Sequence, residues 1–457
     1  MPRKAPVKPD GSRIAAISVC GYKSIIEERR IEIRPLTLLA GANSSGKSSM
    51  MQPLLLLKQT LQTSYDPGPL RLDGPNVRFT SADQLLSKVK GRSCSSEFSV
   101  GLEAADRSRV ELTFVRGARE RGLDLQSMAY SNGGKDAGTL LPDMSEEQIP
   151  QLLWPSIRQF YEELGKKREA SMQWKVVRDR CFLYVNVTLR SAETGGPEPW
   201  MRFSPSFPLE RAIRSIIHLP GLRGNPERTY PKTAAGPDFM GEFQNYVASL
   251  VTQWQAGDKT LLKKLESMLE DLGLTWRVKA RPVDDTQVEL EVGRLPHAQR
   301  GSAHDLVNIA DVGFGVSQTL PVLVALLVAK PGQMVYLEQP ELHLHPKAQT
   351  RLASVLAEAA KRGVTVVAET HSALLLQSVQ TLVAKGELSR ELVKLHWFSR
   401  RPSDGATEVD STDLDEHGRF AQKWPEDFDD VALQADSEFL DAVELRLAAY
   451  EQPTPRG

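Results

Sequence analysis

The sequence predicts an α/β fold built around a parallel β-sheet, and three observations predict it. Short, β-branched apolar runs alternate with longer segments of helical spacing. Polar residues gather where those runs end, at Glu338-Gln339 and at Glu369-Thr370-His371-Ser372, as they do along the carboxyl edge of a parallel sheet. The run Leu36–Ala40 leads directly into Gly41-Ala42-Asn43-Ser44-Ser45-Gly46-Lys47-Ser48 and then the apolar stretch Met50–Leu57, a strand–loop–helix unit.

In chain order, residues 1–13 are basic, contain prolines and lack an apolar core, so they read as a disordered tail and not a signal peptide. Ile14–Val19 reads as a strand, Gly21 as a turn, Arg30–Ile33 as a second strand and Leu36–Ala40 as a third. Pro53 removes a hydrogen bond from the helix after the loop and predicts a kink there. Tyr65–Arg78 is rich in turn residues, and Ser81 or Asp83 caps a helix start. Residues 96–205 change texture. Glu97–Val115 predicts paired strands, Ser127–Pro142 a loop, Glu146–Lys167 a helix and Arg178–Leu189 a strand. This block reads as an inserted α+β subdomain, without the heptads of a long coiled coil.

Ile217 begins a short strand, and the Gly/Pro-rich loop after it carries Arg223 and Arg228. Phe239–Leu272 predicts one or two helices and Thr275–Val292 strands. Gly313–Gln318 breaks the pattern before an apolar helix, Thr319–Ala329. Gln333–Leu337 and Val364–Ala368 are buried strands separated by the helix Lys347–Lys361. The expected division is a tail over 1–13, a first lobe over 14–95, the insertion over 96–205, a second lobe over 206–400 and a C-terminal helical segment over 401–457. Trp424 to Phe428 would pack that last segment back onto the rest.

Composition narrows the function. With 457 residues the chain exceeds one ordinary core. Lys+Arg 57 against Asp+Glu 58 excludes a wholesale polyelectrolyte binder. Cys20, Cys94 and Cys181 lie too far apart for a metal knuckle or a disulfide framework, which fits a reducing cytoplasm. No apolar stretch reaches the roughly 18 residues of a membrane span.

The loop Gly41–Ser48 matches G-x-x-x-x-G-K-[ST] completely. Its glycines let successive N–H groups point inward at phosphate oxygens, and the following helix adds its positive N-terminal end. Lys47 would reach the β- and γ-phosphates of ATP, and the Ser48 hydroxyl would complete the shell of a Mg²⁺ ion.

The phosphate loop, the Gly-rich break, the acid-ended strand and the strand ending in His371 occur in an order that resembles the ABC-type ATPase heads of the SMC, RecF and OLD-like families. Glu338-Gln339-Pro340-Glu341-Leu342-His343-Leu344-His345-Pro346 is most similar to small bacterial OLD-like ATPases without a Toprim domain. The resemblance covers about 14–95 and 213–400. It implies a P-loop NTPase, an ABC-type head with a mixed sheet flanked by helices and split by an α+β insertion. It implies that Gly41, Asn43, Ser44, Ser45, Gly46, Lys47, Ser48 and Ser49 hold ATP, that Ser48 and Glu338 (the latter often through water) hold Mg²⁺, and that Lys47, Glu338, Gln339 and His371 serve hydrolysis. Gly313–Gln318, with Gly315, Ser317 and Gln318, resembles a degenerate signature loop closing over a partner's ATP, and Leu342–His345 the loop at that dimer seam. Gln84 stands near the position of a lid glutamine.

Gln339 stands where many such ATPases keep a catalytic glutamate, and an amide takes up no proton at neutral pH. It can still position water. Glu341 is the alternative base, to be decided by geometry. The implied activity is ATP hydrolysis, slow or otherwise, at an interface between heads of a homodimer or larger homo-oligomer. The implied role is a nucleotide-gated sensor or scaffold for a separately encoded effector such as a nuclease in antiphage defence. Two other readings stay open: a RecF/SMC-like DNA repair or recombination clamp, and an ATP-binding interaction module with negligible turnover. No Toprim nuclease is expected, since the stretch after His371 leaves little room for one beside the end of the ATPase sheet. His343 with His345, and the acidic run Asp410–Glu416, are weighed as metal sites and set aside as ordinary loop residues.

Overall fold

The computed structural model describes residues 11, 13–88, 95–117, 122–134, 137–152, 158–160, 163, 170–191, 197–234, 236, 238–297, 305–422 and 440. The chain opens with β1 (Ile14–Cys20), β2 (Arg29–Glu32) and β3 (Leu36–Gly41), followed by α1 (Lys47–Leu61). Next come β4 (Glu97–Ala104), β5 (Arg109–Arg116), β6 (Leu123–Ser131), β7 (Ala137–Leu140) and the single turn α2 (Ile149–Leu152). Three more strands, β8 (Ala170–Asp179), β9 (Phe182–Ser191) and β10 (Pro197–Phe203), precede α3 (Phe207–Arg214). The second half holds β11 (Ile217–Leu219), β12 (Tyr230–Pro231), α4 (Val247–Ala256), α5 (Thr260–Asp271), β13 (Val278–Pro282), β14 (Gln287–Gly293) and β15 (Leu306–Asn308). It closes with α6 (Phe314–Val328), β16 (Met334–Glu338), α7 (Pro346–Lys361), β17 (Thr365–Thr370), α8 (Ala373–Ala384), β18 (Val393–Arg400) and β19 (Thr407–Thr412).

The central sheet runs β11-β16-β17-β3-β18-β19. All its pairings are parallel except the last, so the sheet is mixed, with an antiparallel edge. Strands buried on both faces must be apolar throughout, and β3 and β17 have every residue buried. Alternate residues of these strands enter two different cores. Leu39, Tyr336 and Val367 face α1, whereas Leu38, Leu337 and Ala368 face the layer of α4 to α8. α1 contributes Met50, Met51, Leu54 to Leu57 and Leu61, each worth about 1.5–3 kcal/mol when fully buried. It runs through Pro53 as one helix.

A second sheet, β2-β1-β4-β5-β6-β7, is antiparallel throughout. The expected boundary between residues 95 and 96 falls inside it, because β4 pairs along β1 over Val19↔Val100 and its neighbours. Pairing between distant strands leaves no local signal. Ser127–Pro142, expected as a loop, supplies most of β6 and all of β7. Arg178–Leu189, expected as one strand, crosses the turn between β8 and β9. Ser81 does cap a short 3₁₀ turn, its hydroxyl accepting from the Asp83 N–H. The expected C-terminal helical segment begins instead with β19, and Trp424 to Phe428 lie outside the described residues, as do Cys94 and much of Glu146–Lys167. Cys20 and Cys181 are free thiols. Among the described residues no helix is long and apolar enough to cross a membrane.

Candidate functional site

The carboxyl ends of β3, β16, β17 and β18 converge on the loop that precedes α1. Two glycines make that loop possible. Gly41 has φ +141°, and an added Cβ would meet the Phe398 carbonyl oxygen at 2.2 Å, because β18 pairs with β3 at that residue. Gly46 has φ +111°, and its added Cβ would lie 2.3 Å from Thr407 Oγ1. The Thr407 hydroxyl donates to the Ser45 carbonyl (2.9 Å), and Arg400 Nε donates to the Ser44 carbonyl (2.6 Å). The hairpin of β18 and β19 thus clamps the loop from outside.

The loop opens onto a cavity of about 370 Å³, lined by Asn43 to Ser49 together with Lys23, Gln52, Gln339, Glu369, His371 and Arg400. Lys47 curls back so that Nζ donates to the carbonyls of Gly41 (2.9 Å) and Ala42 (2.8 Å). Burial lowers its pKa, while Glu369 and Glu341 pull the other way. His371 has its pKa lowered by burial and by the Lys47 charge, and it hydrogen-bonds the Gly41 backbone. The neutral imidazole is therefore its favoured form in this structure.

The acidic residues are arranged differently from expectation. Ser48 Oγ donates to Glu369 Oε2 at 2.8 Å. The other Glu369 oxygen accepts from the Tyr336 hydroxyl. Burial first, then the charge of Glu338, pushes the Glu369 carboxyl up to about 7, against the pull of Tyr336, Ser48 and Lys47. Glu338 faces elsewhere: Oε1 lies 3.2 Å from His218 Nε2, and Oε2 accepts from the Gly221 N–H at 3.1 Å. Burial would raise its pKa, but the His218 and Gly221 contacts outweigh that and hold it below the usual carboxylate value.

Gln339 lines the cavity with a positive φ of 45°, its N–H donating to the Glu369 carbonyl at 2.9 Å. Glu341 is buried, and Oε1 accepts from Thr370 Oγ1 (2.7 Å) and from the His371 N–H (3.0 Å). It braces the turn that carries His371 and is not among the residues lining the cavity. Arg223 is buried too. It donates to the carbonyls of Gln318 (3.1 Å) and Glu338 (3.0 Å), tying the start of α6 to the end of β16. Arg228 is exposed and pairs with Asp311.

Gly313–Gln318 is not a loop: Gly313 caps α6, and Gly315, Ser317 and Gln318 occupy its first turns. Gly313 and Phe314 are exposed, whereas Gln318 is buried with Nε2 on the Gly224 carbonyl (2.7 Å). None of the three lines the cavity of its own chain. Gln84 is not brought to the cavity either; its side chain binds Thr80. Asp413, within the acidic run, pairs with Lys394 and Arg34. Among the described residues no cluster of three or more His, Cys, Asp or Glu could hold a metal by itself.

The structure adds Glu369, Lys23, Gln52, Arg400 and Thr407 to the expected set. Glu369 had a readable signal, an acid ending an otherwise apolar β-branched run. Arg400 and Thr407 had none, since they reach the loop only across the sheet.

A protein-family model described as "AAA domain, putative AbiEii toxin, Type IV TA system" matches residues 197–377. No curated protein matches the sequence. Among solved structures, the fold is similar to an SMC head bound to the C-terminal winged-helix domain of ScpA (13% identity, 88% of this chain and 98% of that one, TM-score 0.46). It is also similar to the Smc head with an extended coiled coil bound to the C-terminal domain of ScpA, derived from Pyrococcus furiosus (12% identity, 94% and 99% covered, TM-score 0.41). A third is the SMC head domain from Thermotoga maritima (12% identity, 87% and 98% covered, TM-score 0.38). At these scores the likeness is distant. Over residues 197–377 the chain is similar to AAA domains, and the structure is an α/β fold of mixed sheets and flanking helices in which the phosphate loop joins β3 to α1.

Proposed function

We propose that the protein binds ATP with Mg²⁺ in the cavity at the head of α1 and works as a nucleotide-gated switch with slow hydrolysis. One observation carries this reading: a complete phosphate loop at a helix N-terminus, with Lys47 and the Ser48 hydroxyl turned into a cavity that Gln339 and His371 also line. The oxygen donors there, a hydroxyl beside a carboxylate, suit Mg²⁺, which when bound would neutralise phosphate charge. Lys47 would exchange its two carbonyl partners for phosphate oxygens. His371 would sense the γ-phosphate, and Gln339 would orient water without accepting its proton. Slow turnover is the consequence of that last substitution.

A switch needs two states that bind nucleotide differently. We assign the second state to two heads closed on ATP, with the start of α6, exposed at Gly313 and Phe314, meeting the other copy's nucleotide. The downstream role is control of a separate effector in defence; the family description, which names a type IV toxin–antitoxin system, supports the defence part of that reading. The purified chain tests this. Nucleotide binding that Lys47→Ala abolishes, with low turnover that rises in Gln339→Glu, supports the switch. Turnover strongly stimulated by duplex DNA supports a clamp acting on nucleic acid instead, and turnover unchanged in Lys47→Ala refutes the site.

A further inference from the structure

The carboxylate nearest the phosphate-loop serine comes from β17 and not from β16, the strand whose terminal acid the sequence assigns to it. β16 and β17 are parallel neighbours with Glu338 in register with Glu369, so both side chains leave the same face of the sheet at the same level. They share Tyr336 but differ in their other partners. Both Glu338 oxygens are engaged away from Ser48, one with His218 and one with the Gly221 N–H. Glu369 Oε2 takes the Ser48 hydroxyl at 2.8 Å, and Glu369 also lines the cavity, which Glu338 does not.

We propose that Glu369, with Ser48, holds the Mg²⁺ of the bound nucleotide, and that Glu338 is a positioning residue that fixes the end of β16 through His218 and Gly221. This rests on the ATP-binding reading above. A carboxylate that is only 3% exposed is costly unless its charge is met. Here Ser48 and Tyr336 each donate to it, Tyr336 setting its orientation while Ser48 leads to the cavity. The Ser48 hydroxyl and the Glu369 carboxylate are oxygen donors of the kind a hard cation takes, and they would hold it and neutralise phosphate charge through it. The resemblance pairs Ser48 with Glu338, often through water, whereas here both Glu338 oxygens already have partners and neither meets Ser48.

The test measures the affinity of a fluorescent ATP analogue in Mg²⁺ and in EDTA, for the wild type, Glu369→Gln and Glu338→Gln. The glutamine keeps an acceptor for Ser48 while removing the charge, so a merely structural acceptor would leave the magnesium effect intact. The expected result is a ratio of affinities of about tenfold or more in the wild type, since about 1.4 kcal/mol of metal coupling suffices for it. That ratio is retained in Glu338→Gln and falls to near one in Glu369→Gln, with affinity in EDTA unchanged. If Glu369→Gln does not fold, Glu369→Asp serves, its shorter arm lowering the ratio while keeping the charge. A ratio preserved in the Glu369 variant, or abolished in Glu338→Gln, overturns the assignment. Absence of nucleotide binding by the wild type in either condition overturns the ATP-binding reading itself.

Discussion

His396 gives the most direct link between a single buried group and the integrity of the phosphate loop. It lies on β18 in register with Leu39 of β3, beside the loop's own strand. Its Nε2 donates to the Glu32 carbonyl (2.8 Å), and its Nδ1 lies 2.7 Å from the Ser411 hydroxyl, which can donate to the neutral ring. Burial is the largest cause of its depressed pKa, about 4. The Glu32 carbonyl and carboxylate oppose the shift, and Lys394 and Arg34 add to it. The unfolded chain, with an ordinary histidine near 6.5, therefore binds the extra proton. Stability is complete above about pH 6.5 and is lost as the pH falls toward about 4. Working the linkage with these two values, the loss between about pH 7 and about pH 5 is roughly 2 kcal/mol. Urea unfolding of the wild type and of His396→Gln, followed by tryptophan fluorescence at both pH values, isolates this contribution. The acids of the same network, Glu32 and Asp413, have lowered pKa values and act mainly below that window. The wild type should lose about 2 kcal/mol more than the variant across it. Equal losses would refute the claim that the folded sheet excludes a protonated His396.

Two further outcomes are expected, one from a glycine of the loop and one from a buried lysine farther along α1. Gly46→Ala should cost about 1–2 kcal/mol for the left-handed backbone alone, plus the displacement of Thr407. Thermal melts and nucleotide titrations should show a less stable chain with weakened binding, and Thr407→Ala should restore only the packing part. A Gly46→Ala chain as stable as the wild type would contradict the geometry. Lys58, buried in α1 with Nζ on Gln62 (3.1 Å) and the Phe239 carbonyl (3.4 Å), has its pKa lowered by burial to about 8. The unfolded state binds its proton more readily, so stability should rise from about pH 8 to about 10.5. Lys58→Met should flatten that rise and increase the urea midpoint at neutral pH; a variant that keeps the rise would show that Lys58 is not its source.

Local physics alone made part of this protein legible in its residues. The phosphate loop depends on residues adjacent in the chain, Gly41, Gly46, Lys47 and Ser48, and on the apolar runs on either side. Buried parallel strands must be apolar on both faces, so β3, β16 and β17 announced themselves, and their order with the helices implied the α/β class. Contact between distant segments settled the rest. It paired β1 with β4, joining residues that texture had divided between two domains. It brought the Thr407 hydroxyl and the Arg400 guanidinium onto the phosphate loop, more than three hundred positions away in the chain. It also placed Glu369, and not the Glu338 to which the resemblance pointed, against Ser48. Glu338 and Glu369 end equivalent strands on the same face, and only the packing of His218 and Gly221 against one of them leaves the other to meet Ser48. Side-chain partners across a sheet are set by register and by what the neighbouring loops place there, and neither is written in the residues on either side of an acid.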